Sequence, residues 1–291
     1  MRIGVTGAFG FVGTHLVEKL LTLNHTVSVL SHVKQDTSCW TKPVTIFQGT
    51  IEDKKTLNKF CENIDILYHL IGIIAETKTK TFSNTVANGT RNIMYVAKEQ
   101  NLKKVIYLSA IGATHDSQSI YQQTKMIAEQ AVMESQLSYV IFRPSILYGK
   151  GDGFITMLTK IIRISPFIPI IGSGTYKLQP LYIDDLVNMM TNVETIENEI
   201  IELGGPEKLE YLEILHILTK VLGKKRLNFY LPTMLMKVVA SVLEKFLKPA
   251  PLTNDQIIMM ESGSTCDLTK MKKLFKINPV SFQDGLNKYM R

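Results

Sequence analysis

The stretch Arg2-Ile3-Gly4-Val5-Thr6-Gly7-Ala8-Phe9-Gly10-Phe11-Val12-Gly13 decides the fold. A β-branched run ends at Thr6 and passes into a turn with glycines at 7, 10 and 13. Val12, Leu16 and Leu20 then recur on one face of a helical pattern. In a strand–turn–helix setting each glycine has a separate task. The first permits the tight turn, the second lets a pyrophosphate approach the backbone, and the third lets the helix pack on the sheet. The free N–H groups at the helix start favour an anion. Glycine at every third residue also marks collagen, but no proline interrupts this run and an amphipathic helix follows it.

Outward from this unit the first half alternates short apolar runs with helical patterns, as βαβ units do. Strands are predicted at Arg2–Thr6, Thr26–Leu30, Val44–Gln48, Ile64–Ile71, Lys104–Ser109 and Tyr139–Phe142, with helices over Thr85–Lys98 and Tyr121–Glu134. Continuous apolar runs such as Ile66-Leu-Tyr-His-Leu-Ile71 suit strands covered on both faces. The fold class is therefore α/β, a doubly wound parallel sheet of the Rossmann type. After Arg143-Pro144 the pattern changes to helices at Phe154–Ile164, Tyr211–Leu222, Thr233–Leu247 and Thr269–Phe275, with Asp184 placed to cap another. Glu199–Leu203 reads as a late strand. The expected organisation is a dinucleotide-binding core at 1–148 and a mostly helical, interleaved cap at 149–291, with about 179–204 returning to the core.

Composition removes several function classes. With 291 residues, 45% of them hydrophobic, the chain can bury a full core without metal or disulfide. Net charge is +7, but the excess is spread: 16 Lys/Arg face 11 Asp/Glu in residues 1–150, and 17 face 15 in the remainder. A nucleic-acid binder concentrates such charge in a stripe, so no nucleic-acid partner is expected. Cys39, Cys61 and Cys266 are odd in number and lack ligand spacing, which excludes a disulfide framework and a metal site and fits a reducing, cytoplasmic setting. No secretion leader is expected before the first strand. Leu231–Leu247, broken by Pro232, Lys237, Glu244 and Lys245, is too short and too charged to span a bilayer.

Two further features carry chemistry. An acid at the end of the second strand would accept a ribose 2′-hydroxyl, yet here the corner reads Leu30-Ser31-His32-Val33-Lys34, with no carboxylate before Asp36. Ser31, His32 and Lys34 suit a 2′-phosphate, so NADP(H) is favoured and NAD(H) stays open. Tyr121 is the only tyrosine with a lysine four residues on, and an i,i+4 pair shares a helix face. A lysine beside a phenol favours the phenolate, so Tyr121 and Lys125 form a proton-transfer pair. Ser109 ends the fifth strand at the ligand-binding edge, where it can hold a substrate oxygen.

Taken together, Thr6–Gly13, the Tyr121/Lys125 pair, Arg143-Pro-Ser-Ile-Leu-Tyr-Gly149 and Tyr182-Ile-Asp-Asp185 resemble an extended or atypical short-chain dehydrogenase/reductase. Tyr121–Glu129, Gly149–Phe154 and Gly172–Pro180 are similar to the branch that contains the Rossmann-fold accessory subunit of respiratory complex I and its bacterial homologues. The resemblance implies a cofactor pyrophosphate at Gly7, Phe9, Gly10, Phe11, Val12 and Gly13, and adenine near Thr50 and Ile51. It places the nicotinamide near Leu70, Ile71, Gly72, Tyr121, Lys125, Pro144 and Ser145. Thr50 stands where extended members usually carry an Asp, Val86 near a frequent Asn, and Ala110 at the usual catalytic Ser, with Ser109 one residue early.

Two function classes follow from this mixture. One is an oxidoreductase, epimerase or dehydratase using Tyr121 and Lys125, on a small-molecule substrate that the Ile-, Met-, Leu- and Phe-rich cap suggests is lipophilic or quinone-like. The other is a non-catalytic nucleotide-holding structural or assembly subunit. On the helix at Thr233–Leu247, Leu235, Val238, Val239, Val242 and Phe246 share one side. That period fits an ordinary core-facing helix. It also fits, with Pro166–Ile171, a lipophilic site or a surface peripheral to the inner face of a membrane or to a respiratory assembly.

Overall fold

Ile3 and Val5 on one face of their strand and Gly4 and Thr6 on the other are all buried and open the sheet, and the chain then builds strand and helix in alternation. The computed structural model describes residues 1–290. In chain order the elements are β1 (Arg2–Thr6), α1 (Phe11–Thr22), β2 (Thr26–Ser31), β3 (Thr45–Gln48), α2 (Lys54–Cys61), β4 (Ile66–His69), a π-helical stretch (Phe82–Asn88), α3 (Gly89–Glu99), β5 (Lys104–Leu108), α4 (Ile120–Glu134) and β6 (Ser138–Pro144). There follow β7 (Leu147–Tyr148), α5 (Phe154–Ile164), β8 (Phe167–Ile171), β9 (Lys177–Leu178), β10 (Leu181–Tyr182), α6 (Ile183–Met190), β11 (Glu199–Leu203), β12 (Leu209–Glu210), α7 (Tyr211–Val221), β13 (Leu227–Leu231), α8 (Thr233–Phe246), α9 (Asn254–Ser262), α10 (Thr269–Phe275) and α11 (Phe282–Tyr289).

The main sheet has seven strands in the order β11-β6-β5-β4-β1-β2-β3, and every pairing from β3 across to β6 is parallel. The winding reverses between β1 and β4, so the carboxyl ends of these two strands flank the crevice where doubly wound sheets take ligands. Leu57, Phe60, Ile93 and Tyr107 are among the side chains packed in the core beside this sheet, none exposed at all. Each fully buried aliphatic side chain there contributes about 1.5–3 kcal/mol.

The chain divides into two units. The first comprises Met1–Ile74, Thr79–Arg143 and Leu186–Ile201; the second comprises Ala75–Lys78, Pro144–Asp185 and the chain from Glu202 onward. In the second unit, β8 and β13 pair in parallel, Phe167 opposite Leu227 through Ile171 opposite Leu231. Pro232 then starts α8, whose only buried residue is Ala240.

Several boundaries differ from the expected ones, for local reasons. β4 ends at His69, because from Leu70 onward the chain leaves the ladder as an apolar loop. The helix expected from Thr85 begins at Phe82 as a π-helix, capped by Thr81, and turns α-helical at Gly89. α6 starts at Ile183, which puts Asp184 inside its first turn rather than at the cap, and Asp185 accepts the Val280 N–H at 2.8 Å. α2 was not expected. Asp53 caps it, accepting from the N–H groups of Lys55 and Thr56.

Candidate functional site

The turn after β1 is shaped by its glycines. Gly7 adopts φ +73°, and a Cβ there would stand 3.0 Å from the Leu70 carbonyl carbon. Gly13 has no room for any side chain: its Cβ would fall 2.2 Å from the Gly7 oxygen and 2.6 Å from the Ala8 Cα. This close approach seats α1 directly beneath the turn. Gly10, the residue preceding α1, supplies no capping side chain, and no acid lies in the first turn, so the helix end presents its N–H groups and positive dipole unneutralised. Phe9 packs on Trp40 with ring centres 4.9 Å apart, and the Trp40 indole donates to the Thr14 carbonyl at 3.1 Å. Phe11 and Val12 are half-buried in the first turn of the helix. The cradle therefore fits a dinucleotide pyrophosphate.

Lys125 is the electrostatic centre of the first unit. Only 3% exposed, it donates to the Leu108 carbonyl at 2.7 Å. Its Nζ stands 4.9 Å from the centre of the Tyr107 ring and 5.8 Å from that of Tyr121. Gly72 passes so near that a Cβ on it would lie 3.3 Å from Nζ, which joins the Leu70-Ile71-Gly72 loop to α4. Burial disfavours the ammonium and pulls its pKa down to about 7, against an upward pull from Glu129. Tyr121, half-buried in the first turn of α4, meets the edge of Phe82 at 5.8 Å.

A second buried layer lies beside this pair. The Thr90 hydroxyl donates to the Val86 carbonyl at 2.6 Å, so its oxygen can only accept from His69 Nε2, 2.9 Å away. His69 Nδ1 then accepts from the Thr6 hydroxyl at 2.7 Å. Burial, aided by the neighbouring Lys125, pulls the His69 pKa down to about 3, so the ring is neutral and stacks on Tyr107. Glu129, fully buried, accepts two hydrogen bonds from the Arg143 guanidinium, at 2.8 and 2.6 Å, and one from the Ser109 hydroxyl. Ser109's proton is spent on that bond, which leaves its oxygen free to act toward a ligand as acceptor only.

The other expected positions divide. Ser31 is buried and donates to the Val33 carbonyl at 2.7 Å, while His32 and Lys34 are exposed, and Lys80 brings its Nζ to 3.4 Å from His32 Nε2. Asp36 is occupied with Ser38. Thr50 is exposed, accepting the Glu52 N–H at 3.3 Å, and Ile51 is buried, its carbonyl taken by Asn92. Pro144 and Ser145 belong to the second unit; there Ser145 donates to the Ser264 carbonyl at 2.6 Å and accepts the Gln179 N–H at 3.3 Å. Sequence reasoning missed Glu129, Arg143 and His69. Their signal was polar side chains in or beside apolar runs, without a spacing that ties one to another.

A sheet reversing at β1 and β4, a glycine turn at that reversal and a Tyr–Lys helix define an extended short-chain dehydrogenase/reductase. The chain belongs to the NAD dependent epimerase/dehydratase family, which it matches over residues 3–204. Among its relatives, the NADH dehydrogenase [ubiquinone] 1 alpha subcomplex subunit 9 of Arabidopsis thaliana mitochondria is 26% identical over 96% of this chain and 72% of its own length. The ceramide reductase of Caulobacter vibrioides is 25% identical, over 79% of this chain and 73% of its own. The crystal structure of a dTDP-glucose 4,6-dehydratase from Streptomyces venezuelae, with NAD bound, superposes with a TM-score of 0.78 at 20% identity, covering 100% and 96% of the two chains. Among the described residues no group of three or more His, Cys, Asp or Glu side chains could hold a metal, and no helix is long and apolar enough to cross a membrane.

Proposed function

We propose that the chain is a dinucleotide-dependent oxidoreductase acting on a lipophilic carbonyl or alcohol, with Tyr121 as the proton-transfer residue and Lys125 as its partner. One observation carries this reading: Lys125 is buried with its Nζ 5.8 Å from the centre of the Tyr121 ring, where burial lowers its pKa. A structural lysine gains nothing from such a position, because desolvation opposes its charge. The dinucleotide, when bound, supplies hydride exchange at its nicotinamide. Gly7, Gly10 and Gly13 hold its pyrophosphate; Lys125 holds the ribose and biases Tyr121 toward phenolate; Tyr121 passes a proton to or from the substrate oxygen. The lipophilic substrate is supported by the apolar residues of the second unit and by the ceramide reductase among the relatives.

NADP(H) is the preferred dinucleotide in this reading. No free carboxylate stands at the corner after β2, where Lys34 and Lys80 bring positive charge and Lys80 reaches His32. Mass spectrometry of nucleotide released from the purified protein, calorimetric titration with the four nucleotides, and turnover on carbonyl compounds and quinones test the whole. Tighter binding of NAD(H) overturns the preference; no binding of any overturns the site. The second reading, a nucleotide-holding subunit, draws on Val86 and Ala110, which replace expected polar side chains, and on the complex I subunit among the relatives. Tight nucleotide binding with no turnover on any compound, in wild type and Tyr121→Phe alike, decides for it.

A further inference from the structure

The outward face of α8 is apolar and only Ala240 of the helix is buried, whereas a helix on a soluble core turns its apolar stripe inward. Met234 is 81% exposed, Val238 58% and Phe246 75%. On its flank, Lys237 reaches Glu261 of α9 at 3.1 Å, and Glu244 accepts Asn254 Nδ2 at 2.8 Å. The edge strand β13 enters α8 through Pro232 and continues the surface with Phe229 at 55% and Leu227 at 65% exposure. Of the nineteen strongly exposed large apolar side chains among the described residues, ten fall between 227 and 247. Scattered exposure needs no explanation, whereas a contiguous apolar patch does.

The charges around the patch identify what covers it. Lys224, Lys225 and Arg226 precede β13, and Lys245 and Lys248 close α8. The one acid in residues 224–248, Glu244, is engaged by Asn254, and Glu261 of α9 is paired with Lys237, so with Lys224, Lys225, Lys245 and Lys248 the charge beside the apolar face is mainly positive. We propose that α8 and β13 form a docking face for an anionic lipid surface. The helix lies in the headgroup plane with Met234, Leu235, Val238, Val242 and Phe246 entering the acyl boundary and its flanking lysines on the phosphates. At 14 residues, about 21 Å long by its rise per residue, it lies on a bilayer and does not span it. A second copy of this chain, pairing the same face with itself, would set the same cations against each other.

The test is flotation of the full chain with phosphatidylcholine vesicles, with and without phosphatidylglycerol, at low and moderate salt. Wild type is expected to float with the anionic vesicles, less at higher salt, and to bind neutral ones several-fold more weakly. Val238→Glu/Phe246→Glu should lose about tenfold or more of that binding with Tm unchanged, because both side chains are exposed. Lys245→Ala/Lys248→Ala should lose binding at low salt only. Wild type staying unbound, or the glutamate variant floating like wild type, overturns the proposal. So does early melting of that variant, since the row would then be core. Concentration-dependent dimerisation abolished by the variant, without flotation, assigns the face to a second copy. None of these outcomes depends on nucleotide binding or turnover, which separates this proposal from the oxidoreductase reading.

Discussion

Two regions invert the usual distribution of charge and oil in opposite directions. In the first unit a lysine, a histidine and a glutamate are buried beside apolar strands, the glutamate paired with the half-buried Arg143. In the second, α8 turns its valines and Phe246 to solvent, and only Ala240 of the helix is buried. Each inversion costs stability locally, and each is where a chain departs from the rules that fold it in order to meet something else. The difference is in what is awaited. In the proposed reading the buried lysine meets a ligand through a few directed groups. The exposed apolar row has no directed group at all and suits only an extended, unstructured partner.

Removing the proton-transfer group should break the comparison most sharply. Tyr121→Phe is expected to lower turnover about 10²- to 10⁴-fold with nucleotide affinity nearly intact, measured once a substrate is found. Full activity would mean that the first inversion is purely structural. Glu129→Gln removes the buried carboxylate that pairs with the half-buried Arg143 and accepts from Ser109; losing this charge-assisted bond should cost about 1–3 kcal/mol, read by denaturant unfolding.

Lys125→Met should weaken both turnover and nucleotide binding, and it has a pH signature besides. In the unfolded chain the lysine keeps its proton to its ordinary pKa, whereas in the fold it gives it up near 7. Between those values folding releases a proton, so wild-type stability relative to Lys125→Met should rise with pH from about 7 to about 10. Thermal melts of both proteins across this range check it, and a flat difference would mean the ammonium is well solvated. The smallest effect belongs to the second region. Met234→Ser should change unfolding free energy by no more than about 0.5 kcal/mol, because the side chain is already in water.

The first inversion was partly legible in the sequence, the second only as a period. β1, the glycine turn, α1 and the Tyr121/Lys125 helix announce themselves because their signals are local: alternation, glycine spacing and an i,i+4 pair. Glu129, Arg143 and Ser109 meet only through the crossing of β5, α4 and β6, and no spacing in the chain encodes that meeting. The end of β4 was misplaced because an apolar loop and a buried strand read alike. α2 is eight residues long and mostly polar, too short to show a period, although Asp53 was a usable cap. For α8 the 3.6-residue period was visible, but a period fixes which side chains share a face and says nothing of what that face meets.

Trp40 gives the molecule an optical readout of its own. It is the sole tryptophan, 6% exposed, and it is clamped to the glycine turn by Phe9 and by the Thr14 carbonyl. Its fluorescence therefore originates beside the pyrophosphate cradle, undiluted by any other indole. A reduced nicotinamide absorbs where an indole emits, so filling the cradle should quench that emission and sensitise the cofactor's own. Occupancy, selectivity among the four nucleotides and the rate of loading can then be followed on the unlabelled protein.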